Sequence, residues 1–371
     1  MKYYIIAGEA SGDLHGSNLI KELQNLDAEA DIRCWGGDKM QATGATLVKH
    51  YRELAFMGFA EVIKNLPAIL KNFTFCKNDI SSFHPDVIVF IDYPGFNLRM
   101  AEWSKKNNFK NVFYISPQVW AWKESRIKGI KKNIDKMIVI LPFEKEFFQK
   151  RNYEVEYVGH PLVEEIENFQ KVHAEIKRSS NVIALLPGSR RQEIKTKLPL
   201  MLLASKNFPD HEFIIAQAPS IEDEFYAGFI ENYKNVKTIR NDTYSLLMRS
   251  VAALVTSGTA TLETALFGVP QVVCYKAGNI SYQIARWLVK LKFISLVNLI
   301  MEKEVVKELI QKDLTVSKIT LELKAILFDS NKKEKIKEDY VQLKNLLSKG
   351  GRASSNAAKS IYRFVMDSIS R

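Results

Sequence analysis

Short apolar runs alternate with longer stretches of helical spacing along most of the chain. In the first half the runs are 3–7, 31–35, 86–91, 111–115, 136–141 and 155–158. A second series follows at 181–186, 212–216, 236–239, 252–255 and 271–275. Because helical stretches lie between most of these runs, the pattern predicts βαβ units and parallel sheets. The last 70 residues are predicted to be helical.

The series of strands pauses over residues 159–180, which are polar and charged. A chain of 371 residues is about twice the common domain size. We therefore predict an α/β protein of two tandem doubly wound, Rossmann-like domains, residues 1–165 and 175–345, with a cleft between them. Residues 346–371 are predicted to form a helical C-terminal segment.

Composition is that of a folded protein in a reducing compartment. Hydrophobic residues make up 46% and charged residues 26% of the chain, which argues against disorder. Cys34, Cys76 and Cys274 lie far apart and form no CxxC, so neither a disulfide framework nor a cysteine zinc site is expected. No run of about 18 apolar residues occurs, so no membrane span is predicted.

The net charge of +11 is unevenly distributed. Residues 1–170 carry 22 basic and 22 acidic side chains, whereas residues 171–371 carry 31 and 20. A basic half favours a polyanionic partner: a nucleotide diphosphate, a nucleic acid or an anionic bilayer. Because no basic–aromatic RNA motif is present, we do not expect nucleic acid to be the partner.

In the basic half, the sequence LLPGSR (185–190) ends an apolar strand at a Pro-Gly turn before a helical stretch. The backbone N–H groups of Gly188, Ser189 and Arg190 would lie at a helix start, where phosphate binds. The helix dipole contributes about 0.3–1 kcal/mol, and a charge-assisted hydrogen bond from Arg190 adds about 1.5–3 kcal/mol. An ordinary β–α turn is the alternative, and this motif alone does not decide between them.

A second strand of this half ends in SGTATLE (257–263). Ser257, Gly258 and Thr259 can offer donors to a diphosphate, and the carboxylate of Glu263 can accept from ribose hydroxyls. The alternative is a capping arrangement with Ser257 or Thr259 as N-cap. Two such turns on neighbouring strands of one sheet would converge on one ligand.

The neutral half carries two further strand ends with candidate chemistry. A glycine-rich loop, GEASGDLHG (8–16), follows the first strand and allows close approach of a ligand; its candidate cleft residues are Gly8, Ser11, Gly12 and Asp13. Asp92 follows a buried strand, and ligands of open α/β sheets lie beyond such strand ends. Partial desolvation raises the basicity of a carboxylate, so Asp92 is our candidate general base. A structural turn and a capping carboxylate are the alternatives.

Two segments of the neutral half are candidates for contact with an amphiphile or a membrane. SPQVWAWK (116–123) places Trp120 and Trp122 beside Lys123 and a run of further cations, which suits a phosphorylated amphiphile or an interfacial patch. A solvated helix face with packed indoles is the alternative. Residues 57–73 show apolar positions at helical spacing. This stripe either faces the core or contacts acyl chains and a membrane; its candidate residues are Phe59, Val62, Ile63, Leu66, Ile69 and Leu70. A second stripe over residues 280–291 is equally ambiguous.

Several motifs of other chemistries do not occur in the sequence. GxGxxG is missing, which argues against a Rossmann dehydrogenase. Asp-x-Asp, HExxH and G-x-S-x-G are also missing, so we expect no metal and no cofactor.

Taken together, these motifs resemble the lipid-A-disaccharide synthase family. The matching stretches are GEASGD (8–13), MGFAEV (57–62), the strand ending at Asp92, SPQVWAW (116–122), LPFEK (141–145), VGHP (158–161), LLPGSR (185–190), SGTATLE (257–263) and SLVNLI (295–300). The resemblance implies a GT-B-type glycosyltransferase that binds the acceptor in the N-terminal domain and the UDP-sugar in the C-terminal domain. It also adds Asn298 as a cleft residue.

The reaction implied by this resemblance is transfer of 2,3-diacylglucosamine from UDP to 2,3-diacylglucosamine 1-phosphate (lipid X). The products would be the β-1,6-linked lipid A disaccharide 1-phosphate and UDP, formed with inversion at the anomeric carbon. The family further implies a cytoplasmic enzyme bound peripherally to the inner membrane. Its C-terminal helical segment would pack back on the N-terminal domain or exchange within a homodimer.

The sequence departs from the family pattern at two positions. Gly95 stands where many relatives carry a second acid, which leaves Asp92 as the only acid in that loop. Lys123 stands where relatives often carry Arg, so bidentate phosphate binding is not expected there. A UDP-sugar 2-epimerase of similar architecture remains the competing enzymatic interpretation, and a nucleic-acid-binding protein, suggested only by the pI of 9.3, is the non-enzymatic one.

Overall fold

The chain folds into two compact α/β units, each built around one parallel sheet. The computed structural model describes residues 1–54, 66–120, 124–276 and 292–369. Unit 1 comprises Met1–Pro161 and Ser348–Arg371, and unit 2 comprises Leu162–Leu347. Two doubly wound parallel sheets and a helical C-terminal segment confirm the predicted fold class.

Unit 1 contains a seven-stranded sheet of order β3-β2-β1-β4-β5-β6-β7. Its strands are β1 (Lys2–Ala7), β2 (Asp31–Gly36), β3 (Thr46–His50), β4 (Val87–Ile91), β5 (Asn111–Tyr114), β6 (Lys136–Val139) and β7 (Glu156–Tyr157). Its helices are α1 (Ala10–Leu26), α2 (Asp38–Gln41), α3 (Leu66–Phe83), α4 (Pro94–Lys106), α5 (Ile127–Asn133), α6 (Pro142–Gln149) and, at the end of the chain, α15 (Ala353–Ile369). Short 3₁₀ turns lie at Tyr51–Leu54 and Glu124–Arg126. Helix α15 packs against α1.

Unit 2 contains a six-stranded sheet of order β10-β9-β8-β11-β12-β13. Its strands are β8 (Val182–Leu186), β9 (Glu212–Gln217), β10 (Val236–Arg240), β11 (Ala252–Thr256), β12 (Gln271–Tyr275) and β13 (Lys307–Ile310). The helices, of which the first begins at the unit boundary, are α7 (Pro161–Val172), α8 (Arg191–Ser205), α9 (Asp223–Ile230), α10 (Thr243–Arg249), α11 (Thr259–Leu266), α12 (Leu296–Met301), α13 (Val316–Phe328) and α14 (Ser330–Ser348). A 3₁₀ turn lies at Gln311–Asp313.

Eleven predicted strands occur within one or two residues of their expected ends, but β3 and β13 were not predicted. Both are edge strands with one neighbour. Their sequences, TLVKH and KELI, mix charged and apolar side chains, because an edge strand does not need two buried faces. The prediction that the last 70 residues are helical is therefore wrong at β13.

The order of strands reverses at one place in each sheet. In unit 1 the chain returns from β3 to the other side of β1, so β1 and β4 are hydrogen-bonded neighbours. In unit 2 the corresponding neighbours are β8 and β11. Loops that leave such a pair at its carboxyl ends turn to opposite faces and open a crevice where ligands of α/β sheets bind.

Candidate functional site

In unit 2 both candidate phosphate turns lie at this reversal point. Leu186 and Val255 are register partners on β8 and β11, and the segments 187–190 and 257–258 follow directly. Helix α8 begins one residue after Arg190, and α11 begins at Thr259. Gly188 and Gly258 have φ of +125° and +148°, a region that favours glycine. The two helix starts therefore lie side by side at the carboxyl ends of two neighbouring central strands.

The first of these turns carries an ion pair that was not predicted. Ser189 and Arg190 are exposed, and Arg190 Nη1 lies 3.1 Å from Glu193 Oε1. A Cβ added at Gly188 would lie 2.5 Å from Glu193 Oε2, so no larger residue fits there while Glu193 keeps this position. The carboxylate of Glu193 thus lies against the candidate phosphate turn, and a phosphate bound there would compete with it for Arg190.

The second turn presents Gly258 and Thr259 to solvent, whereas Ser257 is partly buried. Gly258, not Ser257 or Thr259, is the N-cap of α11. The Ser257 hydroxyl donates to the Ile294 carbonyl at 2.8 Å. Glu263 accepts a hydrogen bond from the Tyr244 hydroxyl at 3.3 Å, and burial raises the pKa of Glu263 to about 6.

Asn298 is fully buried and holds α12 to β13. Its amide donates to Val306 O at 2.8 Å and to Glu308 Oε1 at 2.9 Å. Its oxygen accepts from the N–H groups of Val305 and Val306. Glu308 also accepts from the Ile294 backbone N–H, and the Ile294 carbonyl accepts from the Ser257 hydroxyl. Asn298 is therefore connected to the second turn through this chain of hydrogen bonds, and its own side chain faces the interior.

In unit 1 the glycine-rich loop and Asp92 meet at the reversal point between β1 and β4. Asp92 and Tyr93 have φ of +44° and +48°, so two consecutive side-chain-bearing residues adopt left-handed backbone. A Cβ on Gly8 would lie 2.3 Å from the Tyr93 ring, which explains the glycine. Asn97 stabilises the turn because its amide donates to the Asp92 carbonyl at 2.8 Å. Strained backbone of this kind is common at functional sites.

The carboxylate of Asp92 is desolvated and faces a second acid. Burial, followed by repulsion from Glu9, raises the pKa of Asp92 to about 6, although a hydrogen bond from the Tyr93 backbone N–H opposes the rise. Glu9 is exposed and is the N-cap of α1. It was missed as a candidate although it lies inside the GEASGD motif. Nothing in the sequence indicates that Glu9 lies near Asp92, because the two residues are brought together only by the pairing of β1 with β4.

The other candidates of the glycine-rich loop differ in exposure. Ser11 is exposed, whereas Gly12 packs against β1, where an added Cβ would lie 3.0 Å from that of Ala7. Asp13 is buried and accepts from the backbone N–H groups of Gly37 at 2.7 Å and Met40 at 3.0 Å. The Asp13 carboxylate therefore holds the start of α2.

The Trp-containing loop is anchored by a buried acid that was also missed. Glu144 accepts from the Ser116 hydroxyl at 3.0 Å, the Trp120 indole at 3.3 Å and the Leu141 backbone N–H at 2.9 Å. Burial raises the pKa of Glu144 to about 7 despite these hydrogen bonds. The sequence signal for this role was a glutamate in the first turn of a helix that begins with proline, the place of the glutamate in a capping box. Trp122 and Lys123 lie outside the described residues.

Only part of the proposed apolar stripe falls within the described residues. Phe59, Val62 and Ile63 lie outside them, as does the second stripe over 280–291, and α3 begins at Leu66. Ile69 packs against the core, whereas Leu70 is 56% exposed. The described end of the stripe therefore has both a core-facing and a solvent-facing residue.

The described part of the chain has neither a group of metal-ligating side chains nor a membrane-spanning helix. Among these residues, no three or more His, Cys, Asp or Glu side chains are grouped so that they could hold a metal ion. No helix in the same ranges is both long and apolar enough to cross a bilayer.

Comparison with known proteins identifies close relatives over almost the whole length. A family model described as lipid-A-disaccharide synthetase matches residues 3–363. The lipid-A-disaccharide synthase of Geobacter metallireducens is 36% identical over 357 residues, covering 94% of this chain and 93% of that protein. The enzyme of the same name from Coxiella burnetii is 36% identical over 371 residues, covering 97% and 98%.

Solved structures with this architecture are more distant in sequence. UDP-GlcNAc 2-epimerase from Neisseria meningitidis, solved with UDP-GlcNAc bound, has a TM-score of 0.67 at 13% identity over 99% of this chain and 100% of its own. The glycosyltransferase of kitacinnamycin has a TM-score of 0.67 at 13% identity, covering 98% of each chain. These likenesses confirm the GT-B-type fold.

Proposed function

We propose residue roles for this chain, which belongs to the lipid-A-disaccharide synthase family. The protein is a glycosyltransferase that forms lipid A disaccharide. In our proposal the donor is UDP-2,3-diacylglucosamine and the acceptor is lipid X. The acceptor 6-oxygen bonds to the anomeric carbon while the bond to the diphosphate breaks, so that configuration inverts and UDP leaves.

The observation that carries this proposal is the pair of helix starts on the neighbouring strands β8 and β11. The exposed residues Ser189, Gly258 and Thr259 at these turns, with the side chain of Arg190, suit the charge that grows on the leaving diphosphate. One preorganised donor of this type is worth about 3 kcal/mol of transition-state stabilisation. In this role Arg190 leaves Glu193 for the phosphate, and Glu263 accepts from the ribose hydroxyls.

Asp92 acts as the general base in this proposal. Its carboxylate accepts the proton of the acceptor 6-hydroxyl as the new bond forms. A pKa of about 6 leaves the group ionised at pH 7–8, yet makes it a stronger base than an exposed aspartate. Glu9 supplies part of that rise. Gly8, Ser11 and Gly12 accompany Asp92 at the acceptor, whereas Asp13 supports the loop from within the unit.

The proposal also assigns a place to the acyl chains and the membrane. We assign them to the stripe that ends at Ile69 and Leu70, with the Trp120 loop beside the acceptor phosphate, and place the enzyme on the cytoplasmic face of the inner membrane. The exposure of Leu70 supports contact with lipid. Flotation with anionic vesicles tests the assignment: Leu70→Ser should reduce the bound fraction, and unchanged binding would contradict it.

Mass spectrometry of products from UDP-2,3-diacylglucosamine and lipid X tests the reaction directly. We expect the disaccharide 1-phosphate and UDP. Formation of an epimer from UDP-GlcNAc alone, without disaccharide from the lipid substrates, would reject the proposal in favour of an epimerase.

Titration calorimetry with UDP tests the donor site. Arg190→Ala should weaken UDP binding about tenfold or more, because one charge-assisted hydrogen bond is lost. Arg191→Ala is the matched control, since that guanidinium pairs with Glu222 and lies over the Phe225 ring instead. Equal affinities of the two variants would remove Arg190 from the site.

A further inference from the structure

Helix α8 carries a lysine whose charged end lies inside unit 2. Lys197 is 2% exposed, and its neighbours Ile194, Leu198 and Met201 on the same helix belong to the core. Lysine is almost never fully buried unless it is paired, because an ammonium loses its hydration there. The position therefore requires an explanation beyond packing.

The ammonium of Lys197 has few partners. It donates to Thr256 Oγ1, and no other hydrogen bond or ion pair joins it to the described part of the chain. Glu193, one helical turn earlier, favours its charged form from a distance, whereas burial and the Arg190 guanidinium oppose it. Burial dominates and lowers the pKa of Lys197. A buried cation with so little compensation is expected to destabilise the fold unless an anion arrives.

Thr256 is the last residue of β11 and directly precedes the Ser257–Thr259 turn. A lysine ammonium has donors only, so the Thr256 oxygen must accept and the hydroxyl proton must point elsewhere. Within the described ranges, no acceptor receives that proton. The hydroxyl therefore remains a donor at the start of a turn that already offers N–H groups to an anion. Polarisation by the ammonium strengthens such a donor.

We propose that Lys197 is a positioning residue of the diphosphate site, which orients the Thr256 hydroxyl toward the leaving diphosphate and adds a positive charge behind the turn. The inference rests on the proposed function, because it takes UDP as the anion. It differs from the role of Arg190, whose guanidinium is exposed and binds the ligand directly. The diphosphate site would then have one exposed cation, Arg190, and one buried cation, Lys197.

UDP titration calorimetry and urea unfolding of the full chain test this inference. Lys197→Met keeps the length and apolar stem but removes the charge. We expect about tenfold weaker UDP binding, and unfolding without ligand at the same or a higher urea concentration. Lys195→Met is the matched control, because this exposed lysine lies two residues away on the same helix and faces the Phe225 ring. It should leave both quantities unchanged.

A second pair of variants tests the hydroxyl independently of the lysine. Thr256→Val should weaken UDP binding to a similar degree, whereas Thr256→Ser should retain most of the affinity because the hydroxyl remains. UDP binding by Lys197→Met at the wild-type affinity, or equal losses for the valine and serine variants, would overturn the inference. Failure of the unaltered protein to bind UDP would instead overturn the proposed function and this inference with it.

Discussion

Replacing Asp92 by Asn should abolish turnover and yet stabilise the fold. The pKa of this carboxyl rises from 3.8 to about 6 in the folded chain because of burial and Glu9. The folded state therefore binds the proton more tightly than the unfolded state, and the stability associated with the neutral carboxyl is lost as pH rises from 3.8 through 6. The rise of about two pH units corresponds to about 3 kcal/mol at pH 8.

Asparagine is neutral at every pH and can still accept from the Tyr93 N–H. The variant therefore does not lose the stability that wild-type protein loses when the Asp92 carboxyl ionises. By urea unfolding we expect Asp92→Asn to gain about 1–3 kcal/mol at pH 8, falling to about a third of that near pH 4.5. Asp86→Asn is the control, because Asp86 directly precedes β4 at the end of the strand opposite Asp92. This variant should show no such gain in stability. A loss of stability at pH 8, or an equal change at both pH values, would refute the electrostatic reasoning. Near-normal turnover would refute the assignment of Asp92 as base.

Two further predictions concern acids that the sequence did not single out. Glu9→Gln should move the acidic limb of the kcat/KM profile to lower pH by about half a unit to one unit, because repulsion from Glu9 is the second cause of the raised pKa of Asp92; an unmoved limb would contradict this. Glu144→Ala should lower the free energy of unfolding by about 2–4 kcal/mol, because the Leu141 N–H and other buried donors lose their acceptor. In urea unfolding, Glu146→Ala, which removes an exposed acid two residues away, should change little, and equal effects of the two would count against a buried network.

The interior of both sheets was predictable because the chemistry of its strands is local. Strands such as β4 and β11 are buried on both faces, so their sequences are continuous apolar runs bounded by polar residues. The edge strands β3 and β13 have no such requirement, and their mixed sequences resemble loops or helix ends. Hydrophobic patterning therefore detects a strand in proportion to how much of it is buried.

The candidate turns were also predictable, since glycine and hydroxylated residues after an apolar run mark a strand end. Which turns become neighbours depends on strand order, which the sequence pattern does not encode. The electrostatic repulsion between Glu9 and Asp92 is an example, because the two residues follow β1 and β4 and are more than 80 residues apart in the sequence. Lys197 was missed for a different reason: on a helix, a lysine at a core position looks like a break in the apolar pattern.

Local surroundings, not the charge of each half of the sequence, fit the two steps of the proposed reaction. Residues 348–371 belong to unit 1, so unit 1 has 27 basic and 20 acidic side chains and unit 2 has 26 and 22. A general base needs a raised pKa, and the charged group that acts on Asp92 is the acid Glu9. A leaving diphosphate needs cations, and in unit 2 Arg190 lies at the first turn while Lys197 donates to Thr256, directly before the second. Moving a cation beside Asp92 should therefore lower its pKa and weaken it as a base.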